Sequence, residues 1–378
     1  MPLYLQVYPP APICTRVKSF IVRQTQPAHI GTYVRRHCYR VVVRCEIPSS
    51  CGFTRSRVGV APISGGHRDR RGQQHRTRDT MIRIDGGEFA MGSERFYPDE
   101  APVRLISVAG FWIDPYPVTN TQFAAFVDNT GYVTEAERVP DPALYPGAPP
   151  ENLVPGALVF VMPRSPVPLG DFTRWWVWTP GADWRHPTGP ESSNADLNDH
   201  PVVQVSYGDA VAYCEWARCE LPTETEWEFA ARGGLDGATF TWGDEDPQEA
   251  NPVANTWQGG FPYENSELDG WTRTSPVGSY PANGYGLYDT AGNVWEWTDD
   301  WYTPQRAADT SQARGGTREG SFDPGQPEIA IPRKVVKGGS HLCTPQYCYR
   351  YRPAARQPQM IDTATSHIGF RTISRQRP

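Results

Sequence analysis

Near the end of the 378-residue chain, Cys343 and Cys348 stand in the stretch Gly338-Gly339-Ser340-His341-Leu342-Cys343-Thr344-Pro345-Gln346-Tyr347-Cys348-Tyr349-Arg350-Tyr351-Arg352. Residues five apart on a flat strand face opposite sides, but Pro345 cannot donate to a ladder and favours a turn, which would bring both sulfurs to one pocket. A convergent thiol pair is a disulfide, a redox couple or a soft-metal site. Two further cysteines carry less. Cys214 shares a helical face with Ala210, Val211 and Ala217, where a thiol acts as a small hydrophobe. Cys219 leaves that face and lacks the His or Cys neighbours that zinc requires.

Oxygen donors gather in two segments, Asn255-Thr256-Trp257-Gln258-Gly259 with Asp269-Gly270-Trp271, and Asp289-Thr290-Ala291-Gly292-Asn293-Val294-Trp295-Glu296-Trp297. Each mixes carboxylate, amide and turn carbonyl, the ligand types of a hard cation such as calcium. The same residues also make ordinary turns in which Asp and Asn bond their own backbone. Neither segment has the acid alternation of a helix-loop-helix calcium loop, so spacing leaves both readings open.

The elements that must position these residues follow from composition and caps. A chain of this length buries a core without disulfide staples. Mean hydropathy is -0.56 and no apolar run approaches the ~20 residues that cross a bilayer, so no membrane span is expected. With 38 prolines, 35 glycines and 13 tryptophans, a loop-rich α+β fold with little regular structure, held by aromatic packing, is expected. Residues 1–80 carry 14 Lys and Arg against 3 Asp and Glu, whereas the rest carry 22 against 39. The first segment, with Cys14, Cys38, Cys45 and Cys51, has no sustained amphipathic period and reads as a disordered extension, with Met81 as an alternative start. A nucleic-acid-binding arm is the weaker reading of its charge.

From Met81 onward one domain, 81–378, is expected. Ile82 and Ile84 with Phe89-Ala90-Met91 around Gly86-Gly87 read as a hairpin, and Val103–Val108 leading to Phe111–Ile113 as a second strand pair. Thr119-Asn120-Thr121-Gln122 is a capping box for a helix ending near Gly131, Ser206 caps a helix over Ala210, Cys214 and Ala217, and Thr223-Glu224-Thr225-Glu226 caps a third that stops at Gly233-Gly234.

Residues 81 to about 374 resemble the formylglycine-generating enzyme, or sulfatase-modifying factor, family. The matching stretches include Gly86–Ser93, Pro117–Asn120, Trp184–Pro187, His200–Ser206, Leu221–Glu228, Asn283–Asp289, Gly292–Trp297 and Gly369-Phe370-Arg371; the cysteine pair followed by Tyr-Arg-Tyr-Arg is the narrow signature. The resemblance implies a C-type-lectin-like fold. It also implies an oxidase that converts the cysteine of a Cys-x-Pro-x-Arg motif in a nascent sulfatase to Cα-formylglycine, using molecular oxygen and an external reductant. By the same resemblance Cys343 and Cys348 hold Cu(I), Cys348 exchanges with the substrate thiol if a disulfide forms, and Ser340 and Trp295 belong to the active site; Asp141 is a candidate carboxylate partner for the substrate arginine, with an exposed salt bridge as its other reading. Asn255, Thr256, Asp269 and Trp271 would hold one structural Ca2+, and Asp289, Gly292, Val294 and Glu296 a second. No nucleic acid or membrane partner is expected.

Three departures stand out. Thr344 occupies the place where the family usually has a histidine, His367 stands for an asparagine two residues before Gly-Phe-Arg, and Gln359–Thr363 replaces Asn-Thr-Pro-Asp-Ser. Ala231, Pro353 and Thr372 fall where secreted relatives carry stabilising cysteines, which implies a cytoplasmic protein of prokaryotic type. Two other classes compete: a non-catalytic lectin-like module, which would have no use for the thiol pair, and a mononuclear iron enzyme. The latter would need closely spaced histidines, and the second part has His186, His200, His341 and His367 in no such spacing.

Overall fold

The computed structural model describes residues 80–247, 252–304 and 316–377. The expected basic extension, with its four cysteines, lies outside the described residues apart from Thr80. In chain order the described part holds β1 (Ile82–Ile84), β2 (Gly87–Met91), β3 (Arg104–Val108), β4 (Phe111–Ile113), α1 (Asn120–Thr130), β5 (Gly156–Phe160), β6 (Trp176–Pro180), α2 (Tyr207–Ala217), α3 (Glu224–Arg232), β7 (Trp295–Trp301), β8 (Arg333–Lys337), β9 (Gln357–Met360), β10 (Ile368–Gly369) and β11 (Ile373–Ser374). Long irregular stretches separate them, as the proline and glycine content predicts.

The three helices begin where their caps predict. Thr119, Ser206 and Thr223 each accept from the backbone N–H three residues on, and Gln122, Asp209 and Glu226 return the bond to the cap backbone. Gly131 and Gly233 end α1 and α3 in the left-handed region, and Arg218 does the same for α2. On α2 the buried stripe is Asp209, Ala210, Tyr213 and Cys214, while Val211 and Ala217, expected on it, are half-buried.

The first strands pair differently from the sequence reading. β1 pairs with β4 and β2 with β3, all antiparallel, and Ile82↔Ile113, Ile84↔Phe111, Gly87↔Val108 and Met91↔Arg104 keep one register. The two expected hairpins are therefore one long hairpin, interrupted after β1. Gly86 is the reason: a Cβ there would lie 2.3 Å from the Val108 carbonyl oxygen, so the Gly86-Gly87 link presses against the returning arm instead of turning back. β11 adds to the far side of β4, giving the order β1-β4-β11.

The sheet that carries the chemistry is β10-β7-β8-β9, and β5–β6 forms a separate hairpin. Trp295 and Trp297 of β7 join Phe123, Phe126, Tyr213 and Phe370 in the largest apolar cluster, to which Cys343 belongs. A second cluster around Phe160, Trp175, Trp257 and Phe261 lies under β5–β6. Buried guanidiniums do what ladders would do elsewhere. Arg371 donates to the carbonyls of Asp114, Pro115 and Tyr288, and Arg333 to those of Ser321 and Phe322, satisfying loop oxygens that no strand reaches.

Candidate active site

β8 runs into Gly338 and Gly339, whose φ angles of 94° and 71° suit glycine alone. A Cβ on Gly339 would meet the Tyr351 backbone at 2.9 Å. This kink delivers Ser340–Cys343 beneath the sheet, where the Cys343 N–H donates to the Ser340 carbonyl and the Trp257 N–H to the Cys343 carbonyl, both at 2.9 Å. The turn expected at Pro345 follows: Thr344 and Cys348 exchange backbone hydrogen bonds of 3.0 and 2.9 Å. As a result the two sulfurs lie 2.9 Å apart, and both cysteines are free thiols.

Their surroundings make the two sulfurs unequal. Burial pushes the Cys343 thiol well up, with the Cys348 neighbour adding to the effect, although the Ser340 N–H donates to its sulfur at 3.4 Å. Cys348 is held below the ordinary thiol range, first by the hydrogen bond from the Cys343 thiol and then by the Arg350 guanidinium. Arg350 lies over the Tyr97 ring at 3.7 Å and is anchored to Asp99. The Tyr97 hydroxyl, which accepts from the Tyr349 N–H, is itself pushed up to about 12 by burial.

Both thiols open on a cavity of about 50 Å³ that Ser340 and Trp295 also line, with no carboxylate among the lining residues. The sequence reading thus located four of the groups that the structure brings together. It missed the other aromatic walls: Tyr97, Trp175, Trp176 and Phe261, which come from distant stretches, and Tyr347 of the thiol turn itself. Tyr347 stacks on Phe261 with centroids 4.7 Å apart, and Trp175 meets both edge-on. Trp175 Nε1 and the Tyr347 hydroxyl are buried without a hydrogen-bond partner among the described residues. The aromatic count pointed to a fold held by aromatic packing, not to a wall at the thiols or to which rings meet there.

A soft monovalent ion fits the donor set here: two thiols, one of them biased toward thiolate, with carboxylates excluded. An iron triad does not fit. Nδ1 of His341 contacts the Asn293 carbonyl and Nδ1 of His367 the Thr365 hydroxyl, and no three His, Cys, Asp or Glu side chains form a metal-holding group among the described residues.

Any hard cation must therefore rest largely on amide and carbonyl oxygens. Asn255 fits, because its Nδ2 donates to the Arg273 carbonyl and fixes the amide, while its Oδ1 has no partner among the described residues. Asp269 accepts from the Trp271 N–H and the Tyr280 hydroxyl. The second set lies alongside, with Asn255 and Gly292 bridged in parallel. Its Asp289 is buried and its carboxyl pushed up to about 6 by that burial. Glu296 takes two bonds from Arg371 and one from Trp227 Nε1, which leaves about one of the roughly four acceptor positions of a carboxylate. Asp141 stands apart: it is exposed and caps the short turn Pro142–Leu144 by accepting from the Ala143 N–H.

A model of the sulfatase-modifying factor enzyme 1-like domain matches residues 67–376. The chain belongs to this family. A formylglycine-generating enzyme of Mycobacterium tuberculosis is 53% identical over 294 residues, 78% of this chain and 97% of the relative. The enzyme of the same name from Mus musculus is 42% identical over 79% of this chain and 76% of the relative. The family also holds a member named as inactive, the Mus musculus Inactive C-alpha-formylglycine-generating enzyme 2, 37% identical over 79% of this chain and 87% of the relative, so membership alone does not carry activity. Among solved structures, PvdO from Pseudomonas aeruginosa shares the fold, with a TM-score of 0.54 at 21% identity over 78% of this chain and 94% of that one.

Proposed function

We propose that this chain oxidises a cysteine of a sulfatase polypeptide to Cα-formylglycine. The observation that carries the reading is the pair of free thiols, 2.9 Å apart, opening on a small cavity walled by aromatic rings. A family member that had kept only the fold would have no reason to retain two mutually hydrogen-bonded thiols at a kinked, buried turn. Converting the side chain CH2–SH to CHO with O2 releases hydrogen sulfide and water and consumes two electrons and two protons, which an external thiol reductant supplies. Cu(I) held by Cys343 and Cys348 would supply the site that brings oxygen and the substrate sulfur together.

The chain's own groups do the rest. Trp295 and the Phe261–Tyr347 stack exclude bulk water, which favours the reaction of one sulfur with one oxygen molecule over leakage to solvent. Ser340 accepts from the Leu342 N–H at 3.2 Å and keeps its own proton to donate to a sulfur or a reduced oxygen. The substrate would carry Cys-x-Pro-x-Arg, and its arginine would find acidic surroundings: Asp141 is exposed, and the adjoining Pro140 lines a cavity of about 40 Å³ with Glu135 and Asp362. Structural calcium would sit at Asn255, Thr256, Asp269 and Trp271, and at Asp289, Gly292, Val294 and the remaining acceptor position of Glu296. The loop-rich α+β architecture is assigned to the C-type-lectin-like class. A reducing, cytoplasmic setting fits Ala231, Pro353 and Thr372, which stand where secreted relatives carry stabilising cysteines, and among the described residues no helix is long and apolar enough to cross a membrane.

The test is direct. Reduced protein loaded with Cu(I) is expected to convert a Cys-x-Pro-x-Arg peptide to an aldehyde under air, detected by mass spectrometry with aldehyde trapping. Cys343→Ser and Cys348→Ser should each abolish conversion. An unchanged peptide under copper-replete, reducing conditions would sink the proposal.

A further inference from the structure

We infer that His367 is a catalytic residue of this chain that donates a hydrogen bond from Nε2 to the sulfur of the incoming substrate cysteine, with Thr365 fixing the tautomer. The inference rests on the reading of the thiol cavity as the site of oxidation.

His367 lines the same cavity as Cys343, Cys348 and Ser340, and it is the one imidazole there. A cavity of about 50 Å³ has room for a few waters or one short side chain, so whatever enters beside the thiols also meets the imidazole. The ring is fixed on three sides. Its Nδ1 lies 2.7 Å from the Thr365 hydroxyl, the ring packs at a 49° tilt against Trp176 with centroids 4.7 Å apart, and its backbone carbonyl accepts from the Trp295 N–H at 2.9 Å. Nε2 has no hydrogen-bond partner among the described residues. It is also absent from the sealed polar atoms, which include His341 Nε2, so it opens on the cavity.

The surroundings decide what this nitrogen offers. We take the Thr365 hydroxyl as the donor to Nδ1, which puts the ring proton on Nε2, facing the cavity. Burial, reinforced by nearby His341, keeps the ring neutral. His367 therefore brings a directed donor without adding a second positive charge to the one on Arg350. A thiolate arriving in an apolar, water-excluded space gains from such a donor, and an asparagine amide at this position would serve in the same way.

Histidine ring spectra and turnover together test the assignment. In the reduced, metal-free full-length protein labelled with ¹⁵N-histidine and ¹⁵N-cysteine, the His367 signals are identified by their loss in His367→Leu or His367→Asn. They are expected to show the Nε2–H tautomer and to move when a Cys-x-Pro-x-Arg peptide is added, and much less with the Ser-x-Pro-x-Arg analogue. In the copper-loaded enzyme His367→Leu should lower kcat by about tenfold or more with KM changed less than about threefold, and His367→Asn should recover kcat to within about threefold. A protonated Nδ1, or His367 signals that stay still while the Cys343 and Cys348 signals move, overturns the role. Equal kcat in His367→Leu does so as well. If His367→Leu fails to fold, the tautomer and peptide response of the parent protein still decide. If instead the peptide moves none of these signals and Cys343→Ser stays active, it is the reading of the cavity that has failed.

Discussion

Two thiols that share one hydrogen bond divide the labour between them. Cys343 is buried and its proton is held tightly, whereas Cys348 is half-buried and biased toward thiolate by the Cys343 S–H and by Arg350. A thiol whose ionisation is favoured in the folded protein shows its thiolate at lower pH than a free cysteine. In the metal-free, reduced protein, iodoacetamide should therefore label Cys348 first, and the labelling rate should rise at a lower pH than for a free cysteine. Replacing Cys343 by Ala removes the main cause and should move that rise to higher pH. Peptide mapping by mass spectrometry checks both, and preferential labelling of Cys343 would contradict the account. The convergence of the pair was legible from Pro345 and the five-residue spacing. The inequality was not, because Tyr97, Asp99 and the Arg350 they hold meet only in three dimensions, some 250 residues apart along the chain.

Among the elements, those fixed by neighbours a few residues away were readable in advance. The capping boxes of α1, α2 and α3 close over three residues, so sequence alone places them. The N-terminal strands were misread because Gly86 looked like a turn when it is a point of close approach to the Val108–Gly110 stretch. The link between β8 and the thiol loop depends on glycine in a comparable way. Gly339→Ala forces a side chain into a left-handed backbone position and against the Tyr351 backbone, which should cost about 1–3 kcal/mol. Chemical denaturation measures the loss. The same variant should blunt the difference in labelling between Cys348 and Cys343, whereas unaltered stability would show that the kink tolerates a Cβ.

For the molecule as a whole, burial of charge replaces regular hydrogen-bond ladders. Arg371 pairs with Glu296, both fully buried, and ties the Asp114-Pro115 and Tyr288 loops to β7. Arg371→Met leaves Glu296 buried without its counter-charge and is expected to destabilise by about 3–5 kcal/mol, read as a large drop in Tm. A change within about 0.5 kcal/mol would mean that the clamp is not structural. None of these clamps was visible in the sequence, since an arginine and its glutamate 75 residues away leave no local signal. Removal of residues 1–80, in contrast, should leave peptide oxidation and Tm unchanged, because β1 begins at Ile82 and pairs within the remaining domain. Loss of either on truncation would assign that segment a part in the fold.

The β1-β4-β11 sheet sets an order of events during synthesis. Ile113 is flanked by Ile82 on one side and Ile373 on the other, so the strand that completes this sheet is made about 260 residues after the one it joins. The loop between the arms of the first hairpin likewise waits for Arg350 and Arg352, whose partners Asp99 and Glu100 were made some 250 residues earlier. Helices α1 to α3 can form as they emerge, but the thiol turn gains its full support only after Arg350 and Arg352 have been made. A chain interrupted before Ile373 would carry both cysteines and still lack the strand that sutures β4 to the far side of its sheet.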